Sequence, residues 1–441
     1  MLKRKIYNSL LEWKEHKKKE CLMIKGARQV GKTFIVRQFG NNEYKSFVEI
    51  NFLREPELKS IFAGELGGDE IIKRMSAHIP GVSLIPGKTL IFLDEIQKCS
   101  AARTALKFLA EDGRFDVIAS GSLLGLHYGF DADPDVTEAE SIPVGYERQM
   151  VMHSMDFEEF LWAYGYESDS IDYLHDFFEK KEKVPNEINE KFETVFREYI
   201  VVGGMPEVVS GFVENKDFGF VQKNQEKILA AYDDDISLHV KNPDKAKVRA
   251  CYDSLPGQLA RENKKFKYSV VESRGTARKF SDSITWLRDS NLVNTCYNLY
   301  EPYIPLNANV KNEDFKLYLN DTGLLLARYG MPTKLAVLNK SIARFAKGGI
   351  YENVISEMLI KRGYKLFYYK NSDSTTEIEF VIEKEDEGVV PIEVKAGNNA
   401  TPSLNSFVEK FKPTTAYKLI DGNVGDSGNR ITLPHYMVMF M

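Results

Sequence analysis

Eight consecutive residues, Gly26-Ala27-Arg28-Gln29-Val30-Gly31-Lys32-Thr33, constrain the N-terminal part of this chain more than any other feature. They fit G-x-x-x-x-G-K-[ST] without exception, directly after the apolar CLMIK and before the helical pattern TFIVRQF. A strand that passes through a glycine loop into a helix gathers backbone N–H groups around one point, and phosphate oxygens suit that point. Lys32 brings a positive charge to the β- and γ-phosphates, and the Thr33 hydroxyl is a ligand for Mg²⁺. The expectation is a site for ATP with Mg²⁺.

A second stretch completes that site. Thr89-Leu90-Ile91-Phe92-Leu93-Asp94-Glu95 is an apolar strand ending in two adjacent carboxylates, some sixty residues after the loop. Asp94 is expected to organise the metal, and Glu95 to polarise the attacking water as general base. A further strand, Phe115 to Ser122, ends in small polar residues that place Ser120 or Ser122 beside a γ-phosphate. Charge on a transferring phosphoryl group also calls for an arginine. Arg103, Arg114 and Arg148 are the candidates.

Short apolar strands (CLMIKG, SFVEINF, TLIFLDE and FDVIASGS) alternate here with amphipathic helices. That alternation implies an α/β fold with a parallel sheet covered on both faces. At 441 residues, two to four domains are expected. The net charge of -5 provides no overall basic footprint, so contact with nucleic acid requires a local patch. Cys21, Cys99, Cys251 and Cys296 are scattered, and the seven histidines form no H-x-x-x-H pair. Neither a disulfide framework nor a His/Cys metal site is expected, which fits a cytoplasmic protein. The basic N-terminus lacks the apolar stretch of a signal peptide, and no apolar run approaches a membrane span, so no membrane partner is expected.

Beyond the acidic loop 128–147, helical patterns run from His153 to Val240, with Gly203-Gly204 and Pro206 marking a bend between two of them. Residues 245–330 read as two helices, KAKVRACYDSLPGQLARE and TARKFSDSITWLRDSNLV, followed by the strands VNTCYNLY and DFKLYLND. That is the order of a winged helix. From about Gly348 a helix, IYENVISEMLIKRG, precedes the strands KLFYYKN, EIEFVIEKE and VVPIEVKA. The division expected is a P-loop ATPase core (1–150), a helical lid (151–240), a winged helix (241–340) and an α/β nuclease-like domain (341–441).

With the phosphate loop, LDEIQ and ASGS in hand, the chain resembles AAA+-type ATPases. More specifically it is similar to an uncharacterised bacterial and archaeal family of such ATPases that carry a C-terminal PD-(D/E)xK nuclease-like domain. Further stretches carry the resemblance: Ser141 to Gly145, Asp156 to Leu161, Gly203 to Glu207, Ala230-Ala231-Tyr232 with Asp235-Ile236-Ser237, Gly349 to Asn353, and Pro391 to Lys395. Where that family has a basic residue after the S-I-P-V-G run, this chain has Tyr146 and Glu147, with Arg148 next.

The nuclease-like arrangement rests on Glu352 in a helix, Glu379 on a strand, and Glu393 with Lys395 on the next. Side chains i and i+2 of a strand share a face, so Glu393 and Lys395 converge. Glu379 and Glu393 on paired strands form a tentative second metal site, with Glu352 and Lys395 nearby and Lys395 positioned to activate water. Arg274, Arg278, Lys279 and Arg288, with Lys264, Lys265 and Lys267 just before them, are the basic residues through which the winged helix would meet DNA. Tyr297 and Tyr300 read as core and wing packing. Three readings stay open: an ATP hydrolase controlling its C-terminal domains, a nucleotide-dependent binding switch, and an ATP-gated DNA nuclease. A protein partner or a second copy of the chain is compatible with each.

Overall fold

The computed structural model describes residues 2–16, 20–122, 145–240, 243–373, 376–397 and 401–441. They divide into two units, residues 3–153 and 154–441. Ser141 to Val144 lie outside the described residues.

In the first unit, helix α1 (Ile6–His16) precedes strand β1 (Cys21–Gly26), helix α2 (Lys32–Glu43) and strand β2 (Ser46–Asn51). There follow α3 (Gly68–His78), β3 (Thr89–Asp94), α4 (Ser100–Asp112), β4 (Asp116–Ser122) and β5 (Glu147–Val151). The strands form one sheet in the order β2-β3-β4-β1-β5, parallel throughout. β1 and β3 are buried at every residue, which is why they read as unbroken apolar runs. Edge strand β2 buries only Val48 and Ile50, alternate residues of one face. The chain leaves β1 toward β2 at one edge and later leaves β4 for β5 on the other side of β1. The order therefore reverses between β1 and β4, and in open α/β sheets ligands bind outside the strand C-termini at such a point. The four strands expected from sequence are β1 to β4. The fifth, starting at Glu147, lies where a loop was expected to end.

The second unit opens on α5 (Phe157–Tyr164), α6 (Ser168–Lys180), α7 (Asn186–Val202), α8 (Pro206–Asn215) and α9 (Phe218–His239). Asp156 and Glu159 form a reciprocal capping box that starts α5. Gly203 ends α7 at φ 74° and ψ -167°, a region open essentially to glycine alone. A Cβ there would lie 2.2 Å from Asp321 Oδ1. Asp321 accepts from the Gly204 N–H at 2.8 Å and from Leu324 N–H at 3.2 Å, so the bend and the next helical region are tied together. Burial and the charge of Glu357 push this carboxyl up to about 6.

Next come α10 (Lys245–Leu259), α11 (Tyr268–Val271), α12 (Ala277–Asp289), β6 (Val293–Leu299), β7 (Val310–Leu319), α13 (Thr322–Tyr329), α14 (Met331–Leu338) and α15 (Arg344–Lys361). Strands β8 (Phe367–Lys370), β9 (Glu377–Lys384) and β10 (Gly388–Val394) precede α16 (Pro402–Phe411), β11 (Ala416–Ile420), β12 (Gly425–Asp426) and β13 (Arg430–Pro434). All eight strands form one mixed sheet in the order β12-β13-β11-β10-β9-β8-β6-β7. β6 and β7 pair antiparallel, as a wing would, but β6 also pairs in parallel with β8 through Tyr297↔Phe367 to Leu299↔Tyr369. The expected wing is thus the end of the sheet that carries the C-terminal strands, rather than a free-standing hairpin. The reason is non-local: β8 lies far downstream of β6, so no local pattern announces their pairing.

Candidate functional site

The loop between β1 and α2 lies at the reversal of strand order. Gln29 (φ 65°) and Gly31 (φ 96°) take left-handed backbone conformations that wrap the loop, and α2 starts at Lys32. The positive end of that helix and its unsatisfied N–H groups face the loop. Gly26 is required by its neighbour as well, since a Cβ would lie 2.2 Å from the Met152 carbonyl oxygen. Lys32 Nζ donates to the Gly26 and Ala27 carbonyls at 3.0 and 2.9 Å, which folds the ammonium over the loop.

Asp94, at the C-terminal end of β3, is buried and accepts three hydrogen bonds. Thr33 Oγ1 donates to Oδ2 at 3.0 Å, Asn51 Nδ2 donates to Oδ2 at 2.9 Å, and Ser120 Oγ donates to Oδ1. The loop threonine, the strand carboxylate and the serine of the intervening strand, predicted separately from sequence, are therefore brought together. Among the described residues no ammonium or guanidinium forms an ion pair with Asp94. A buried carboxylate beside a hydroxyl, with only neutral donors, is a hard-oxygen set of the kind Mg²⁺ prefers. Glu95 follows at φ 55°, a left-handed conformation uncommon for a residue with a side chain. Its carboxylate accepts from Gln97 Nε2.

Three residues of this region were not singled out in the sequence. Asn51 reaches Asp94 because β2 pairs with β3 in the register Asn51↔Asp94. Its Oδ1 accepts from Leu53 and Arg54 N–H, fixing the amide. Arg4 donates to the Val30 carbonyl at 2.9 Å and to that of His153 at 2.7 Å, clamping the loop from outside. Gln97 holds Glu95. Only the polar end of SFVEIN hinted at Asn51; the basic N-terminus hid Arg4 among ordinary surface charges.

The three arginine candidates lie elsewhere. Arg148 is level with Leu22 near the start of β1, roughly 13 Å of strand from Gly26. Arg103 is buried and lies 3.8 Å from Glu147 at the start of β5. Arg114 precedes β4 and pairs with Asp112 at 2.7 Å and Asp69 at 3.0 Å. Arg114 and Arg148 thus belong to the end of the sheet where the strands start, opposite the phosphate loop. Arg103, in the first turn of α4, lies near enough to Lys25 that its charge, after burial, lowers that lysine's pKa.

In the second unit, Glu379 and Glu393 stand on the paired strands β9 and β10, where Ile392↔Phe380 sets the register. Glu393 is fully buried, with Lys395 Nζ at 2.9 Å. Glu379 accepts from the Val394 N–H at 3.1 Å. Burial, then the charge of Glu352, push its carboxyl up to about 7. Glu352 lies between Lys264 at 2.9 Å and Lys316 at 3.5 Å and accepts from the Tyr318 hydroxyl. Burial alone would raise its pKa; the two lysines outweigh burial and hold it below the usual range. Among the described residues no group of three or more His, Cys, Asp or Glu side chains is arranged to hold a metal ion. Lysines meet the carboxylates instead.

The basic residues near α12 are dispersed in the same way. Lys264 is consumed by Glu352, Lys279 pairs with Glu272 at 2.6 Å, Arg288 with Asp289 at 3.0 Å, and Lys265 with Asp314 at 3.2 Å. Arg278 is exposed.

Residues 18–161 match the AAA domain family. Over this segment the chain is similar to AAA-type, nucleotide-binding ATPases. Residues 193–335 and 347–435 match two families described as Domain of unknown function (DUF8612) and Domain of unknown function (DUF4143). No curated protein matches the chain. Among solved structures, the Walker-type ATPase of Pyrococcus abyssi aligns at 15% identity and a TM-score of 0.42, covering 75% of this chain and 96% of that one. AMPPCP-bound DnaA from Aquifex aeolicus aligns at 12% identity and a TM-score of 0.29, covering 65% and 88%. No helix among the described residues is long and apolar enough to cross a membrane.

Proposed function

We propose that residues 3–153 bind ATP with Mg²⁺ on the Gly26 to Thr33 loop and hydrolyse it, and that turnover controls residues 154–441. The observation that carries this is the 3.0 Å hydrogen bond from Thr33 Oγ1 to Asp94 Oδ2, which joins the phosphate loop to the acidic strand at the reversal of strand order. Backbone N–H groups of the loop and the Lys32 ammonium receive the phosphates. Thr33 and Asp94 would hold Mg²⁺, which would supply neutralising charge to the bound phosphates. Glu95, partly exposed beside Asp94, orients water and takes its proton. Ser120 and Asn51 fix the Asp94 carboxylate through neutral hydrogen bonds, so that its charge is kept for the metal.

Exchange of Lys32 for Ala tests binding. Loss of a charge-assisted contact worth about 1.5–3 kcal/mol should weaken ATP at least about tenfold in a calorimetric titration. The melting temperature without nucleotide is measured alongside, so that loss of the phosphate contact is distinguished from loss of the fold. Unchanged ATP affinity in the variant contradicts the reading.

A further inference from the structure

A lysine-lined surface lies in the other unit, and its carboxylates pair with three of its four lysines but leave Lys311 over. A cavity of about 300 Å³ opens beside β7 and β8, lined by Lys265, Lys311, Lys316 and Lys370 together with Asp314 and Glu377. Four ammonium groups thus face two carboxylates. Lys316 is 1% exposed and is held by Glu377 at 2.9 Å and Glu352 at 3.5 Å, with its ammonium 4.7 Å from the centre of the Tyr368 ring. Burial opposes its charge, yet the neighbouring Glu352 and Glu377 keep its pKa raised, so the ammonium is permanent. Asp314 is occupied by the Tyr368 hydroxyl, Asn298 Nδ2 at 3.1 Å and Lys265 at 3.2 Å. The wall is therefore fixed by hydrogen bonds on the protein side.

Lys311 differs from the other three. Among the described residues no carboxylate lies within ion-pair distance of it; its ammonium sits 5.2 Å from the centre of the Tyr300 ring. Tyr300 is 64% exposed, and Tyr303 and Ile304 on the same loop are 57% and 55% exposed. Sequence reasoning assigned Tyr300 to wing packing with Tyr297. Tyr297 does pack, at 6.0 Å from Phe315, but Tyr300 does not. An exposed ring with an unpaired ammonium over one face, that ammonium belonging to a lysine of the cavity wall, is an arrangement that positions a phosphate and a base together. Stacking on an aromatic face accepts any base, and lysines follow the phosphates.

We propose that this surface binds single-stranded nucleic acid, with a backbone phosphate entering the cavity by Lys311 and a base stacking on Tyr300. A free phosphate would satisfy the lysines alone and leave the exposed tyrosine without a role. An acidic peptide would match the charge but would not use the ring face.

The test is binding of a fluorescent oligothymidylate to the full chain over a salt series, comparing wild type with Tyr300→Ala, Tyr300→Phe and Lys311→Ala. Each variant's melting temperature and ATP turnover check that the fold is intact, since both side chains lie outside the core and outside the nucleotide site. Tyr300→Ala should weaken binding about tenfold and Tyr300→Phe should keep it, because stacking needs the ring and not the hydroxyl. Lys311→Ala should lower the slope of log affinity against log salt by about 0.7, one phosphate's share on a single strand. Inorganic pyrophosphate and polyglutamate serve as competitors. Failure of wild type to bind at low salt overturns the proposal, as does binding that neither alanine variant changes. Pyrophosphate competing equally at equal phosphate concentration, with Tyr300→Ala silent, would mean a free-phosphate site. Polyglutamate competing better than the oligonucleotide would mean a protein-binding surface. Either result overturns it.

Discussion

Carboxylates in this chain are used in two electrostatic settings. Asp94 is solvated by a threonine, a serine and an asparagine. Glu352, Glu379 and Glu393 sit among Lys264, Lys316 and Lys395, and their positions differ in consequence. Glu352 is held low by its lysines, whereas Glu379 is pushed up to about 7 by burial and by Glu352. From an ordinary value of 4.5, this means the folded chain binds more protons than the unfolded chain between about pH 4.5 and 7. Stability therefore falls as pH rises through that window and the penalty is complete above it. Glu379→Gln removes the ionisation while retaining an acceptor for the Val394 N–H. The variant should match wild type near pH 4 and exceed it at pH 8 by roughly 1–3 kcal/mol, read as a widening difference in melting temperature. A difference that does not vary with pH contradicts the assigned cause.

Among the elements, the α7–α8 bend has a specific backbone requirement. Gly203→Ala would place a methyl 2.2 Å from Asp321 Oδ1 at a positive φ, and should cost about 3 kcal/mol in thermal or urea unfolding. A loss within 0.5 kcal/mol, the range of ordinary surface substitutions, would mean that the bend relaxes. The same bend was legible from Gly203-Gly204 and Pro206, because glycine and proline report local backbone geometry directly. Strands β1 and β3 were legible for a related reason: central parallel strands are buried on both faces and leave unbroken apolar runs. What stayed hidden depends on distant pairing. The β6–β8 pairing that absorbs the wing, the Asn51 contact with Asp94 and the Arg4 clamp on Val30 each join residues well separated in sequence. Lys316 was hidden differently. It sits in the strand DFKLYLND, where a lysine ordinarily reads as the solvent face, yet Glu352 and Glu377 draw it inside.

For the whole molecule, one chain carries an AAA-type unit and a second unit whose eight-stranded sheet joins two regions that match separate families. The phosphate loop, the acidic strand and Ser120 could be named from sequence because each is a short motif at a strand end. The arginines could not be placed, since their distance from the loop depends on which end of the sheet they occupy. The proposed hydrolysis in the first unit rests on Glu95, and one comparison tests it most directly. ATP affinity and steady-state phosphate release are measured side by side for wild type and Glu95→Gln, with Mg²⁺ present. The substitution keeps the side chain's size and its hydrogen-bonding capacity but removes the base. The account predicts affinity within about twofold and release reduced by at least about a hundredfold, the lower end of what a positioned general base contributes. Release by Glu95→Gln at the wild-type rate, or no Mg²⁺-dependent release by the wild type at all, would contradict it.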